Sequence, residues 1–361
     1  MTATQSALEA AREVAAAGHR VVAIVGWRVP REPLLAAGLH YVQVTPAIGP
    51  PTPVADELLS SDSSPDTRSL FQLIVGGALD FASLVVLAPP FAGLSASIED
   101  MRRAGVLREQ VPPTYYFEVL TWREPASRAF MIGRVRDFVV RIATLGQSVG
   151  DLELRGAIRR CNMVRREVAA LLSARSRLHG SHVLRVIAAG SSLGPEEHIA
   201  MLQGNHPMLP GQLPGVLIAS SSVLYDDRVH RIVEDCGAHV LGEDDINGSC
   251  HAFGEVTEDG DPVASLGAFY HENQPAQNTA PAEMRLRWLL ERAMAQDIQG
   301  VIFYAEDPSW GWDLPAVCGT IEAAGKRTLL LPRDVRTGDG AAAAARQVRE
   351  FVMACQQQAV S

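Results

Sequence analysis

The chain has 361 residues, of which 47% are apolar and 20% charged, with a formal net charge of -9 and a pI of about 5.6. That length and apolar content suit two ordinary globular domains, each with its own core. An acidic chain with no run of Lys or Arg has no general attraction to phosphate backbones, so nucleic acid is not an expected partner.

No apolar run approaches the roughly 20 residues of a membrane span, so no membrane association is expected. The N-terminal "MTATQSALEAAREVAAAGHR" has no basic segment followed by an apolar stretch. It reads as an amphipathic, Ala-rich helix rather than a signal peptide, and the expected compartment is the cytoplasm. The five cysteines, Cys161, Cys236, Cys250, Cys318 and Cys355, are odd in number and form no C-x-x-C pair. They are expected to be reduced thiols, mostly buried, not a disulfide framework.

Along the chain, short apolar runs alternate with helical patterns. "RVVAIVGW", "HYVQVTP", "ASLVVLAPP" and "TYYFEVL" read as strands, each rich in β-branched or aromatic residues and stopped by Gly or Pro. Helices are expected between them at about 32–38, 67–79 and 94–105. This β-α order predicts a parallel sheet covered on both faces. From about Arg128 to Ser176 the pattern is helical, with Leu154, Ile158, Val164, Val168 and Leu171 on one face and Asp151 at a helix start. "SHVLRVIAAGSSLGPEEHIAMLQG" reads as helix, loop, helix. Strands return in "PGVLIASSSV", "AHVLGEDD", "GVIFYAED" and "RTLLLPRD", with helices at about 226–236, 281–297, 314–324 and 340–356. The fold class expected is α/β, with two doubly wound parallel-sheet lobes joined by helices and facing a cleft. The lobes are placed at 1–150 and 177–361, with a connecting helix at 151–176. The polar stretch 251–279 is expected to be a functional loop or a short helical insert.

Ligands of open parallel sheets bind beyond the carboxyl ends of the strands. The residues of interest are therefore Gly26 to Glu32, Thr45, Pro89 to Phe91, Ser220 to Ser222, Glu243 to Asp245, Glu306 to Asp307 and Arg333 to Asp334. No G-x-G-x-x-G follows a strand, and neither a Walker A lysine motif nor a G-x-S-x-G elbow occurs. The ten histidines show no metal-ligand spacing. Ser221 and Ser222 open a helix and can either cradle a phosphate or cap the helix, and capping is the expected role. The "GEDD" carboxylates Glu243, Asp244 and Asp245 can bind a metal or an amine, but a solvated rim is expected.

Gly26, Pro30, Glu32, Ala36, Ala37 and Gly38 form the pattern Gly-x-x-x-Pro-x-Glu followed by Ala-Ala-Gly. Pro30 suits a turn or first helical turn, Glu32 complements a helix N-terminus, and the small residues allow close packing on a sheet. With these residues the chain resembles subunits of the 2-hydroxyacyl-CoA dehydratase and benzoyl-CoA reductase family, D-component type. The resemblance continues through "DELLSSDSSPDTRSLFQLIVGGALDFASLVVLAPPF", through "AIRRCNMVRREVAALLSAR" with Asn162 and Arg165, through "GVLIASSSVLYDDRVHRIVEDCGAHVLGEDDINGS", and through "GVIFYAED" and "KRTLLLPRD". It covers nearly the whole chain.

The resemblance implies a pair of homologous two-lobed subunits. It implies a cysteine-held [4Fe–4S] cluster and an ATP-dependent activator that supplies one electron. The substrate would be an acyl-CoA thioester that forms a ketyl radical and then loses hydroxide or undergoes ring reduction. This chain departs from the pattern where the family has its cluster cysteines. It has Ser64 before the proline of "SSPDTRS", Phe91 after "VVLAPP", and Glu306 and Asp307 after "GVIFYA". Serine is a poor ligand for a soft cluster and phenylalanine is none. Cys250 lies near a strand end, but one thiolate does not hold four irons.

The expectation is a subunit that carries no cofactor or metal of its own and is not catalytic alone. It would shape the acyl-CoA site of a homologous, cluster-bearing partner. Gly26, Pro30, Glu32, Ser64, Phe91, Ser221, Ser222, Glu306 and Asp307 are the candidate cleft or substrate-binding residues. The alternatives are a repurposed acyl-CoA-binding or regulatory protein without a redox role, and a cluster-free enzyme using the "GEDD" and "AED" carboxylates as acid and base.

Overall fold

The computed structural model describes residues 3–47, 49–209, 211, 213–220, 227–244, 254–272, 281–304, 314–331, 335 and 338–360. These residues form two compact units. The first takes Met1–Met163, Gly190–Glu197 and Glu255–Asn273, and the second takes Val164–Ala189, His198–Gly254 and Gln274–Ser361.

In the first unit, α1 (Ala3–Ala16), β1 (Val21–Val25), α2 (Glu32–Ala36), β2 (His40–Val44), α3 (Pro53–Leu58), α4 (Pro65–Val75), β3 (Leu84–Leu87), α5 (Ala92–Arg103), β4 (Thr114–Tyr116) and α6 (Pro125–Ala143) follow in order. The sheet is wholly parallel, in the order β2-β1-β3-β4. Val22 sits opposite Leu84 on β3 and Tyr41 on β2. Every residue of β1 and β3 is buried. A strand covered on both faces has no solvent side, so its sequence is a continuous apolar run. The edge strand β2 alternates partly exposed and buried positions instead. One core layer joins Ile24, Leu34, Val86, Phe117, Phe138 and Ile158, and Phe138 packs on Phe117 with ring centroids 5.3 Å apart.

Helix α7 (Asp151–Ser173) begins in the first unit and ends in the second. The second unit continues through a short 3-10 turn at Arg175–Arg177, α8 (Gly180–Ala189), α9 (Pro195–Leu202, whose first residues belong to the first unit), β5 (Gly215–Ser220), α10 (Arg228–Asp235) and β6 (His239–Glu243). The chain then contributes α11 (Pro262–Glu272) to the first unit. It resumes in the second with α12 (Ala282–Ala293), β7 (Ile298–Tyr304), α13 (Leu314–Ala323), β8 (Arg327–Leu330) and α14 (Gly338–Val360). The second sheet is also all parallel, in the order β6-β5-β7-β8. Its two faces bury separate layers, one around Ile218, Val240, Ile302 and Phe351 and the other around Leu217, Leu289, Phe303 and Ile321. Two parallel α/β lobes are therefore present, as expected. Helix α3 was not foreseen, and the polar stretch after β6 contains the helix α11.

In each sheet the first strand of the unit has its successor on one side and the next strand on the other. The switch points, where such folds bind ligands, lie between β1 and β3 and between β5 and β7. At the first, Gly26 leaves β1 with φ +93°, and a Cβ built on it would lie 2.4 Å from the Ala88 carbonyl oxygen and 2.8 Å from that of Pro89. The Trp27 N–H donates to Pro89 O at 3.3 Å. The Pro89–Pro90 peptide is cis. Gly18 has a similar φ of +91° at the end of α1 but faces open space.

Gly18→Ala should therefore cost about 1–2 kcal/mol, the left-handed backbone term alone. Gly26→Ala should cost about 3 kcal/mol or more, because overpacking against two carbonyls adds to it. Urea unfolding of the two variants measures the difference, and equal losses would contradict the close approach.

Candidate functional site

The turn after β1 is built from buried residues of unusual type. Trp27, Val29 and Pro30 are buried, and so is Arg28. Arg28 has φ +62°, the one described non-glycine residue with positive φ. A bulky residue there costs of order 1–3 kcal/mol and persists only where its surroundings impose it. Its guanidinium donates to the Tyr270 carbonyl oxygen. Glu32, the first residue of α2, is 0% exposed, and the Tyr270 hydroxyl donates to its Oε2 at 3.0 Å. Gln43 on β2 donates to the carbonyls of Gly26, at 2.8 Å, and Ile24, at 3.2 Å. Arg31 donates to Gly190 O at 2.7 Å and lies over the Tyr41 ring. Burial raises the Tyr41 phenol above its ordinary range, against the lowering influence of Arg31.

Tyr270 reaches this turn on α11. The segment before that helix is held by Asn162, which is fully buried. Asn162 Oδ1 accepts from Val256 N at 3.0 Å, while its Nδ2 donates to Val256 O at 2.8 Å and to Glu258 Oε1 at 3.0 Å. The side-chain amide thus pairs with one peptide as a neighbouring strand would. Arg155 donates to Glu258 O at 2.9 Å. Asp261 Oδ1 accepts from Val263 N at 2.9 Å at the helix start. Gly267 lets α11 lie directly on α6, since a Cβ there would come within 2.7 Å of Ile132 Cα.

At the positions where the resemblance leads one to expect cluster cysteines, Ser64 is the N-cap of α4. Its Oγ accepts from Thr67 N at 3.2 Å, with Pro65 in the first turn. Arg68 braces the same loop through Ser60 O and an ion pair with Asp56. Phe91 is buried ahead of α5, and its N–H donates to Ala88 O at 3.1 Å. A capping hydroxyl and a buried phenyl ring do not fit a four-iron cluster. Among the described residues no group of three or more His, Cys, Asp or Glu is placed to hold a metal. The described cysteines form no disulfide with one another. Only Cys355 is buried, and Cys161, Cys236 and Cys318 are half-buried, so burial is less complete than expected. Ser221, Ser222, Asp245, Cys250, Glu306 and Asp307 lie outside the described residues, as do Arg333 and Asp334.

The second unit overturns one expectation. Glu243 and Asp244 are not a solvated rim, since they are 0% and 1% exposed. Arg175, itself buried, clamps Glu243 through both oxygens, with Nη1 2.9 Å from Oε1 and Nη2 on Oε2. It also donates from Nε to Val240 O at 3.1 Å. His230 Nε2 lies 3.4 Å from Glu243 Oε2. Arg285 Nε donates to Asp244 Oδ2 at 2.7 Å. Burial alone would raise the Glu243 carboxyl, but Arg175 and His230 prevail and hold it well below the ordinary carboxylate range. The arginines lie 68 and 41 residues away in sequence, so no local pattern announces these pairs.

Two all-parallel doubly wound units, with glycine-mediated close packing at the first switch point, define an α/β protein with a second-lobe ionic core. The family model for the 2-hydroxyglutaryl-CoA dehydratase D-component matches residues 26–352, and the chain belongs to that family. No curated protein matches the chain in sequence. The match starts at Gly26, the first residue of the turn. Among the described residues no helix is long and apolar enough to cross a membrane.

Arg175→Met should destabilise the protein by about 3–5 kcal/mol, because it leaves a buried carboxylate without its cation. The pH dependence should reverse as well. The wild-type contribution of Glu243, whose folded value is depressed, is complete above the ordinary value of 4.5 and is lost as pH falls below it. In the variant, burial is less opposed and the carboxyl is raised, so stability should increase as pH falls from 8 toward 5. Denaturant unfolding across that range reads the sign directly.

Proposed function

We propose that this chain is the cluster-free component of an ATP-dependent, cytoplasmic 2-hydroxyacyl-CoA dehydratase or a benzoyl-CoA-reductase-like complex. It pairs with a homologous cluster-bearing subunit and shapes that partner's acyl-CoA site. The observation that carries this reading is the combination at the first switch point. The turn that carries the resemblance, Gly26, Pro30 and Glu32, holds Arg28 in a strained conformation. Where the resemblance leads one to expect thiolates, Ser64 caps α4 and Phe91 is buried ahead of α5. The electron chemistry then belongs to the partner's [4Fe–4S] centre and its activator. This chain contributes the residues Gly26, Pro30, Glu32, Ser64 and Phe91 of the first unit, and Ser221, Ser222, Glu306 and Asp307, which follow β5 and β7 in sequence, as further candidates. A scaffold matched over residues 26–352, strained turn included, supports continued service in such a complex.

Anaerobic co-expression with a cluster-bearing homologue should give a heterodimer on size exclusion, active with activator and ATP. All its iron should be assigned to the partner. Glu32→Gln should lower turnover by tenfold or more, about 1.4 kcal/mol of barrier. Ser64→Cys expressed alone should bring in no iron. A chain that stays apart from every cluster-bearing homologue would favour a repurposed acyl-CoA-binding or regulatory protein instead.

A further inference from the structure

Six of the ten histidines lie between His179 and His239 in the sequence, and three of these reach helix α8, or the residue leading into it, from elsewhere in the second unit. His239 Nε2 donates to Leu178 O at 2.6 Å, and His198 Nε2 donates to Val186 O at 3.0 Å. His206 Nδ1 lies 3.0 Å from Nε2 of His182, on α8 itself. The first two bonds are indifferent to charge. A ring nitrogen that carries hydrogen donates to a carbonyl whether or not the other nitrogen is protonated. The bond between two rings has no such freedom.

A carbonyl fixes the protons of the pair. His206 Nε2 is 2.8 Å from Leu202 O, which can only accept, so that nitrogen carries the hydrogen. In the neutral ring Nδ1 is then an acceptor, and the hydrogen between the rings belongs to His182 Nε2. The pair takes one proton on His182 Nδ1 with this bond intact. A second proton, on His206 Nδ1, sets two N–H groups against each other across 3.0 Å.

The surroundings do not relieve that charge. Both rings are half-buried. Burial lowers the His182 ring below its ordinary value, and His206, Arg185 and His179 push it the same way. The carboxylates on neighbouring elements are engaged elsewhere. Glu234 on α10 accepts from Ser181 N at 3.2 Å and Ser181 Oγ at 2.5 Å, and lies 3.8 Å from His179 Nδ1. Asp227, ahead of α10, pairs with Arg185 at 3.4 Å and Arg231 at 3.1 Å. Glu167 on α7 accepts from Gln203 at 2.9 Å. Among the described residues no carboxylate bonds to either ring of the pair.

We propose that the His182–His206 pair is an acid-released latch: neutral, it holds the segment 203–209 against α8, and doubly charged it lets that segment, the lead-in to β5, come away. The segment is mostly exposed. Besides the latch it is tied by Gln203 to Glu167, by Leu209 N to Arg177 O at 2.8 Å, and by an isolated bridge between Met208 and Leu178. A ring lowered in the closed state takes its proton more readily in the open one. The latch is therefore at full strength above the ordinary value of 6.5 and weakens as pH falls below it.

Hydrogen exchange of the full chain, read by mass spectrometry at pH 7.5 and 5.0 and corrected for intrinsic rates, tests this. Protection of 203–209 should fall by about tenfold between the two, while peptides of α4 and α5, which hold no histidine, keep theirs. His182→Gln presents an amide that donates to a neutral His206 or, turned over, accepts from a charged one. It should keep the segment protected at both pH values. His206→Leu should be as open at pH 7.5 as the wild type is at 5.0, and should no longer respond to pH. Unchanged protection of the wild-type segment at pH 5.0 overturns the latch. So does an equal loss in His182→Gln, which would assign the response to His179 or His239, and so does an equal loss across β5 to β8, which would be general acid unfolding.

Discussion

The close approach of Gly26 to the carbonyls of Ala88 and Pro89 is the constraint on which the first unit's working edge depends. Backbone meets backbone there because the residue has no side chain. The chain can therefore turn at once from β1 into the buried sequence Trp27–Arg28–Val29–Pro30. With a Cβ in that place the exits of β1 and β3 would have to separate. The Arg28 guanidinium would then move off the Tyr270 carbonyl, and the Glu32 carboxylate off the Tyr270 hydroxyl. Strain at Arg28 is sustained by this packing, as expected of a conformation held by its surroundings.

The eight described strands match runs read from the sequence, most clearly in β1 and β3, because a doubly covered parallel strand must be apolar throughout and runs such as "VVAIV" and "LVVL" have few other uses. Ser64 was read only as a serine in place of a cluster ligand, yet a serine ahead of a proline is an ordinary helix start, and that is the role it takes. The partners escaped notice. Tyr270 lies 238 residues from Glu32, Asn162 lies 94 from Val256, and Arg175 lies 68 from Glu243. Contacts of that range leave no periodic trace. Glu243 and Asp244 were misread because charge in a short run ordinarily means solvent exposure, and nothing nearby betrayed the arginines paired with them.

Those buried pairs are a poor way to gain stability. Desolvating Arg175, Glu243, Arg285 and Asp244 costs several kcal/mol per ion, and their mutual attraction does little more than offset it. Charged pairs do, however, fix orientation in a way apolar packing does not. With its carboxylate gripped at both oxygens and a ring nitrogen of His230 alongside, the end of β6 has one arrangement available to it. It is from there that the chain leaves to build α11.

That departure also sets the order in which the protein can be made. The first unit is not contiguous in sequence, since it includes residues 255–273. Glu32 emerges from the ribosome long before the tyrosine that caps it. With 238 residues between them and synthesis at about 5–20 residues per second, the gap is on the order of ten to fifty seconds. For the part of that interval after β4 is made, the N-terminal sheet has its strands but neither α11 nor the peptide that Asn162 grips. The face of α6 that receives α11 stands uncovered from the synthesis of α6 (Pro125–Ala143) until α11 (Pro262–Glu272) is made, and a nascent chain in that condition is an obvious client for a chaperone. Newly made protein, more than finished protein, is where damage to Asn162 or Gly267 would be felt.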